Sequence, residues 1–73
     1  TSRQADILRM LALHPNAAVS RESILSAVWG HVSHANSLAL NVQISYLRKA
    51  LHKDAQVAIR SLTGKGYMLV CPV

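Results

Sequence analysis

Phenylalanine is absent from the 73-residue chain, and the only aromatic side chains are those of Trp29, Tyr46 and Tyr67. The core must therefore be mainly aliphatic, with Trp29 and Tyr67 expected inside it. A single cysteine, Cys71, excludes an internal disulfide. No apolar run approaches the roughly 20 residues that a membrane-spanning helix requires, and no signal-peptide pattern opens the chain.

Acidic residues are also few: three Asp and Glu residues stand against eight Lys and Arg residues, for a net charge of +5. Asp6, Glu22 and Asp54 all lie near predicted helix ends, where helix dipoles and turns account for them. The sequence has no Ser/His/Asp spacing and no glycine-rich phosphate loop. We therefore predict no enzyme activity, no cofactor and no small-molecule substrate.

His31 and His34 stand three residues apart and raise the question of a metal site. No cysteine or carboxylate lies nearby in sequence to complete a tetrahedral set of ligands, so we predict none. The excess of positive charge on a small surface favours an anionic partner, either nucleic acid or a membrane surface, although a basic domain can also have no partner.

Residues 36–53 predict a long amphipathic helix. Apolar side chains recur on one face at helical spacing: Leu40, Ile44, Leu47 and Leu51. The opposite face and its flank carry Leu38, Val42, Ser45, Tyr46, Arg48, Lys49 and Lys53. The charges on this outer face are all positive, so it either enters a DNA major groove or is a solvated surface.

Two shorter helices precede it. A T-x-x-Q capping box opens the first, over residues 1–13, and Pro15 ends it. Residues 17–19 form a short apolar segment that can add a strand to a sheet. Ser20 is the expected N-cap of the second helix, and Gly30 is its expected stop.

A polar loop is predicted over residues 31–36, with Asn36 or Ser37 capping the long helix. The second and third helices then form a helix-turn-helix whose loop is longer than usual. Two β-prone runs, 57–62 and 67–71, flank a Gly-Lys-Gly turn and predict a hairpin with Lys65 at its tip. The fold class is α+β, mainly α: a winged helix-turn-helix of three helices and a C-terminal β-hairpin wing.

Three stretches resemble motifs of the OmpR/PhoB-type winged-helix effector domains. They are LALHPNAAVSRESILSAVWG, which resembles L-x-x-x-P-x-x-V-V-S-R-E-x-L-L-x-x-V-W; NVQISYLRKAL, which resembles D-V-H-I-S-x-L-R-x-K-L; and IRSLTGKGYML, which resembles I-x-T-V-R-G-x-G-Y-x-L. The resemblance extends from Thr1 to Val70. The ToxR/CadC-type membrane-tethered regulators share these motifs and fit about as well.

The resemblance implies a bacterial transcriptional regulator that binds direct-repeat promoter DNA, with a recognition helix in the major groove and a wing at the minor groove. It assigns DNA contacts to Ser45, Tyr46, Arg48 and Lys49 on the helix, Thr63 and Lys65 on the wing, and Ser20 and Arg21 at the second helix. The loop formed by His31, Val32, Ser33, His34, Ala35 and Asn36 corresponds to the segment that contacts RNA polymerase.

This chain departs from the family at several positions. Leu38, Tyr46 and Thr63 stand where the family often has Arg, and Asn41 stands where it often has Asp. Each missing Arg removes a forked hydrogen-bond donor for guanine or phosphate. Base recognition is therefore expected to depend on Ser45, Tyr46, Asn41 and apolar contact from Val42 to thymine methyl groups.

The family also has a four-stranded sheet before the first helix, which this chain lacks. We therefore expect a single domain, residues 1–73, trimmed from a longer cytoplasmic or membrane-tethered protein that dimerises on DNA. Whether a phosphorylated receiver domain of a two-component system precedes it is left open. The alternative is a winged-helix protein-interaction module that uses the outward Leu38 and Val42 as its contact surface and does not bind DNA.

Overall fold

Three helices followed by a β-hairpin make up the fold of the computed structural model, which describes residues 2–72. The elements are α1 (Ser2–Leu13), α2 (Arg21–Trp29), α3 (His34–Leu51), β1 (Ala58–Leu62) and β2 (Gly66–Val70). This arrangement confirms the predicted winged helix-turn-helix. No helix within residues 2–72 is both long and apolar enough to span a membrane.

The predicted ends of the first two helices are largely confirmed. Helix α1 ends at Leu13, two residues before Pro15, while its predicted capping residue Thr1 lies outside the described residues. The Ser20 hydroxyl accepts a hydrogen bond from the Ser23 backbone N–H and caps α2. Gly30, at φ 86°, ends α2 with its N–H donating to the Ser26 carbonyl.

The predicted start of the long helix is wrong. Ser33 is its N-cap, with extended backbone (φ −147°, ψ 162°) and a hydroxyl that accepts from the Asn36 backbone N–H at 3.1 Å. Residues 34–36 therefore form the first turn of α3, and the loop between the helices shrinks to residues 30–33. The connection then has the short length usual for a helix-turn-helix.

The other end of α3 is also shorter than predicted. The helix stops at Leu51, and the His52 N–H donates to the Lys49 carbonyl, which tightens the final turn. Lys53 lies in the turn that follows and is exposed there. The sequence periodicity placed Lys53 on the outer face of α3, but the helix ends before this residue.

The wing is an antiparallel hairpin in which Ala58 pairs with Val70 and Leu62 with Gly66. Residues 17–19, which were expected to be able to add a strand to a sheet, pair with the wing at Val19 alone, through an isolated antiparallel bridge to Tyr67. In that bridge, Val19 and Tyr67 exchange two backbone hydrogen bonds of 2.8 and 2.9 Å. This pair attaches β2, at the end nearest the wing turn, to the segment between α1 and α2.

The core lies between the helices and the inner face of the wing. Its buried members come from every element and from the Val19 segment: Ile7, Leu11, Val19, Ile24, Leu25, Leu40, Ile44, Leu47, Ile59, Tyr67 and Leu69. Trp29 packs against the edge of this core but is only partly buried, so it is less buried than predicted. The Arg3 guanidinium lies over its ring. Tyr67 is buried as predicted.

Gly66 allows the wing to approach the main body closely. Its φ is +118°, and a Cβ at this position would overlap the Val19 carbonyl oxygen and crowd the Ser20 Cα. Gly64, in the wing turn, also has a positive φ of +74°, but a Cβ there would meet open space. Both glycines therefore have a positive φ, which other residues adopt only at a cost in free energy. They differ in that only Gly66 is packed against neighbouring backbone.

We expect Gly66→Ala to lower the free energy of unfolding by about 3 kcal/mol, because backbone strain and main-chain overlap each cost about 1–3 kcal/mol. Gly64→Ala is the matched control and should cost only about 1 kcal/mol, from backbone strain alone. Urea unfolding followed by circular dichroism measures both. Equal losses for the two variants would contradict the close approach of Gly66 to Val19.

Candidate nucleic-acid interface

The outer face of α3 is exposed, as the sequence predicted. Leu38, Val42 and Tyr46 expose 52%, 49% and 50% of their surface, and they follow one another at intervals of four residues. Ser45 and Lys49 are exposed beside them. Helix α3 has no acidic residue along its length, so this face offers apolar and positively charged groups together.

The guanidinium of Arg21 joins α2, α3 and β2 at one point. Its Nη1 donates to the Tyr67 hydroxyl and to Asn41 Oδ1, and its Nη2 donates to the hydroxyl and carbonyl oxygens of Ser37. The same group lies 5.5 Å from the centre of the Tyr67 ring. We call these four residues, Arg21, Ser37, Asn41 and Tyr67, the Arg21 clamp.

Within the Arg21 clamp, two residues predicted to contact DNA use hydrogen-bonding groups for contacts inside the protein. The Arg21 guanidinium is partly buried among protein acceptors, although the family resemblance assigns it to phosphate. Asn41 Oδ1 accepts from Arg21 at 3.0 Å and from the Tyr67 hydroxyl at 3.3 Å. Both side chains therefore hold α3 in position relative to α2 and the wing.

Arg48 links α3 to the first strand of the wing. Its Nε donates to the Ile59 carbonyl at 3.0 Å, and its Nη2 donates to the Ser61 hydroxyl at 2.7 Å. The side chain remains exposed. Arg48 thus braces the wing against α3, a role that the sequence did not indicate, while its position still borders the outer face.

Two serines predicted to contact DNA are also hydrogen-bonded within the protein. The Ser45 hydroxyl donates to the Asn41 carbonyl at 3.2 Å, one turn back along α3. The Ser20 hydroxyl donates to the Ser23 hydroxyl while capping α2. Neither hydroxyl has a second proton to give to a base or a phosphate.

The wing tip, by contrast, presents its side chains to solvent. Thr63 and Lys65 are exposed on the turn between the strands, and the Lys65 N–H donates to the Leu62 carbonyl to close that turn. A cleft separates the tip from the start of α2, where Arg21 and Glu22 line its other wall. Lys65 is therefore a mobile point charge at the end of a fixed hairpin.

The segment predicted to contact polymerase, residues 31–36, consists of the last three residues of the linker and the first three residues of α3. His31, Val32, His34 and Ala35 are exposed along it. Asn36 Nδ2 lies 3.3 Å from His31 Nε2 and 3.4 Å from the His31 carbonyl, which ties the linker to α3. Residues 2–72 contain no cluster of three or more His, Cys, Asp or Glu side chains able to hold a metal ion.

The sequence did not reveal Ser37, Ser61 and the Tyr67 hydroxyl, which hold the two arginines in place. A weak signal existed at Tyr67, because a buried tyrosine ring usually requires a hydrogen-bond partner for its hydroxyl. Nothing in the spacing of Arg21, Ser37 and Asn41 indicated that they meet, since the contacts join three separate elements.

A helix-turn-helix whose third helix exposes an acid-free face, followed by a lysine-tipped wing, defines a winged-helix domain. Residues 1–69 match the family described as the C-terminal domain of transcriptional regulatory proteins, and the chain belongs to that family. The predicted OmpR/PhoB-type resemblance is thereby confirmed.

Individual relatives agree with this membership. The transcriptional regulatory protein RprY of Bacteroides fragilis is 32% identical over 72 residues, which cover 99% of this chain and 30% of that protein. The response regulator ArlR of Staphylococcus aureus is 36% identical over 70 residues, which cover 94% of this chain and 32% of that protein. The chain thus spans about a third of the length of these regulators.

A solved structure gives the same picture. The DNA-binding domain of Escherichia coli CadC matches with a TM-score of 0.79 and 29% sequence identity, over 99% of this chain and 69% of that one. Both families named from the motifs are therefore represented among the similar proteins.

We expect Arg21→Lys to lower the free energy of unfolding by about 2 kcal/mol, because an ammonium cannot make the forked contacts of a guanidinium and hydrogen bonds to charged groups contribute about 1.5–3 kcal/mol. The matched control is Arg9→Lys, on the exposed side of α1, which should change stability by less than about 0.5 kcal/mol. Thermal and urea unfolding of both variants test the difference. If the two variants are equally stable, the hydrogen bonds of Arg21 do not contribute to holding α2, α3 and β2 together.

Proposed function

We propose that this chain is the DNA-binding domain of a bacterial transcription regulator and that it binds double-stranded promoter DNA sequence-specifically. Helix α3 enters the major groove, and the wing tip reaches the adjacent minor groove or its backbone. The observation that carries this proposal is the exposed, acid-free face of α3 beside a wing that Arg48 and the Arg21 clamp fix to the same helix.

The dimensions of α3 suit this role. Its 18 residues correspond to a length of about 27 Å. A helix of ordinary diameter, about 10–12 Å, fits a major groove about 12 Å wide. The apolar residues Leu40, Ile44 and Leu47 are buried, so the helix can enter a groove without exposing the core.

Affinity in this proposal comes mainly from lysines. Lys49 on α3 and Lys65 on the wing are exposed and border the two surfaces that approach the duplex. Contacts between such side chains and phosphates release counterions and act on any sequence. Arg48 and Lys53 add positive charge at the end of α3, and Thr63 adds a hydroxyl at the wing tip.

The finer features of the regulator are proposals of the same kind. The domain acts in the cytoplasm as part of a longer protein, which is either cytoplasmic or membrane-tethered. That longer protein dimerises on direct-repeat DNA sites. The linker and first turn of α3, residues 31–36, contact RNA polymerase through their exposed side chains. The similar E. coli structure is itself a DNA-binding domain, which supports the central part of the proposal.

We expect Lys65→Ala to weaken binding to every duplex alike and to lower the slope of log affinity against log salt concentration by about 0.9, the value for one phosphate contact on B-DNA. Lys49→Ala should behave in the same way. Fluorescence anisotropy with a mixed-sequence duplex at several salt concentrations measures the slope.

Arg9→Ala is the matched control for these variants, because it removes one positive charge from the exposed side of α1, whose buried face packs on the core. Its slope should stay at the wild-type value. If Lys65→Ala and Arg9→Ala change the slope equally, the wing does not contact phosphate and the charge acts only through the overall field of the protein.

A protein-interaction module without DNA binding is the second candidate, and the exposed Leu38, Val42 and Tyr46 favour it. The same titration separates the two. The module predicts binding no stronger or more salt-dependent than that of a generic basic protein, with no difference between Lys65→Ala and Arg9→Ala.

A further inference from the structure

We propose that this domain reads its DNA site chiefly through the 5-methyl groups of thymines, which pack against an apolar stripe on α3 formed by Leu38, Val42 and Tyr46. The inference rests on the proposed function and specifies how the same surface distinguishes one sequence from another. It concerns base recognition alone, while the lysines supply the affinity that is common to all sequences.

The geometry of the stripe matches a run of base pairs. Its members are separated by four residues, so the stripe extends for about 12 Å along the helix axis. Base pairs in B-DNA repeat every 3.4 Å or so, and the stripe therefore faces about three to four of them. Each side chain exposes about half of its surface, which leaves apolar area available for contact.

Three polar side chains of the same helix, Asn41, Ser45 and Arg48, already make hydrogen bonds within the protein. Recognition of adenine by asparagine requires both the amide oxygen and the amide nitrogen, but Asn41 Oδ1 accepts from Arg21 and from the Tyr67 hydroxyl. Arg48 can make a forked contact with guanine through either of two edges of its guanidinium, and the Nε–Nη2 edge already donates to Ile59 and Ser61. Ser45 donates its proton to the helix backbone.

The exposed centre of the outer face is therefore mainly apolar: it consists of the aliphatic side chains of Leu38 and Val42 and the ring of Tyr46, whose hydroxyl is its one polar group. In the major groove, the 5-methyl group of thymine is the apolar feature by which base pairs differ. Contact between that methyl group and an aliphatic side chain removes both from water. The stripe thus discriminates thymine from cytosine by burial of a methyl group, without a hydrogen bond.

Charge complementarity identifies DNA as the occupant of this face. The stripe is flanked by Lys49 and followed by Lys53, and α3 carries no acidic residue. A protein partner would bury the same apolar groups but would also need to neutralise these cations. A duplex supplies phosphates on both sides of the groove that contains the methyl groups.

The experiment first selects a high-affinity site from a random duplex library with the wild-type chain. Each thymine in the selected site is then replaced singly by deoxyuridine, which keeps the pairing and the carbonyl acceptors and removes only the methyl group. We expect two to four positions at which this replacement weakens binding about fourfold, the value of one buried methyl-sized group. The remaining thymines should be insensitive.

Variants assign those methyl groups to the stripe. In Leu38→Ala and Val42→Ala, part of the sensitivity to deoxyuridine should disappear, at different positions for each variant. Leu13→Ala is the matched control, since Leu13 is an exposed leucine on α1 and should leave the deoxyuridine pattern unchanged. About half or more of each of these three side chains is exposed, so none of the substitutions opens a cavity in the core. Circular dichroism checks that each variant is folded.

The outcomes separate this inference from the proposed function. If the selected site binds equally well with every thymine replaced, the inference is overturned, while salt-dependent DNA binding through the lysines stands. If the deoxyuridine pattern of both stripe variants is the same as that of the wild type, the methyl groups contact another part of the protein and the inference also fails. If no duplex is bound with a lysine-dependent salt slope, the proposed function itself fails and the stripe belongs to a protein contact.

Discussion

The guanidinium of Arg21 is the joint on which this domain depends. One planar group, at the first residue of α2, donates to side chains or carbonyls on α3 and β2. In a chain of 73 residues with a small aliphatic core, the packed area alone sets relative orientations weakly. A forked, charge-assisted set of hydrogen bonds adds direction, because its geometry is met only when the helices and the wing lie at particular angles.

This structural use of polar groups has a consequence for recognition. Asn41, Arg48 and Ser45 lie where a DNA-reading helix would use them, yet each is engaged within the protein. The domain gains a rigid relation between α3 and the wing, and it leaves Leu38, Val42 and Tyr46 as the exposed centre of the helix. In the proposed mode of DNA binding, rigidity and base recognition would be coupled, since Asn41 Oδ1, the Ser45 proton and one edge of Arg48 already hold the domain together.

Much of the fold was predictable because local signals and tertiary packing agree. Ser20 and Gly30 bound α2, and the period of Leu40, Ile44 and Leu47 identifies the buried side of α3. The start of α3 was missed because Ser33, Asn36 and Ser37 are all good caps, and the choice depends on backbone geometry. The Arg21 clamp was not predictable, because its contacts join residues as far as 46 positions apart and no periodicity records such meetings.

The central claim is that the outer face of α3 and the wing tip grip one duplex together. An NMR titration of the isotope-labelled chain with a selected duplex tests it most directly. Amide signals around Val42, Tyr46 and Lys49 are expected to shift in parallel with those of Thr63 to Lys65, while signals on the exposed side of α1 around Arg9 stay unchanged. Shifts concentrated on α1, or an unperturbed wing alongside a perturbed α3, would contradict it.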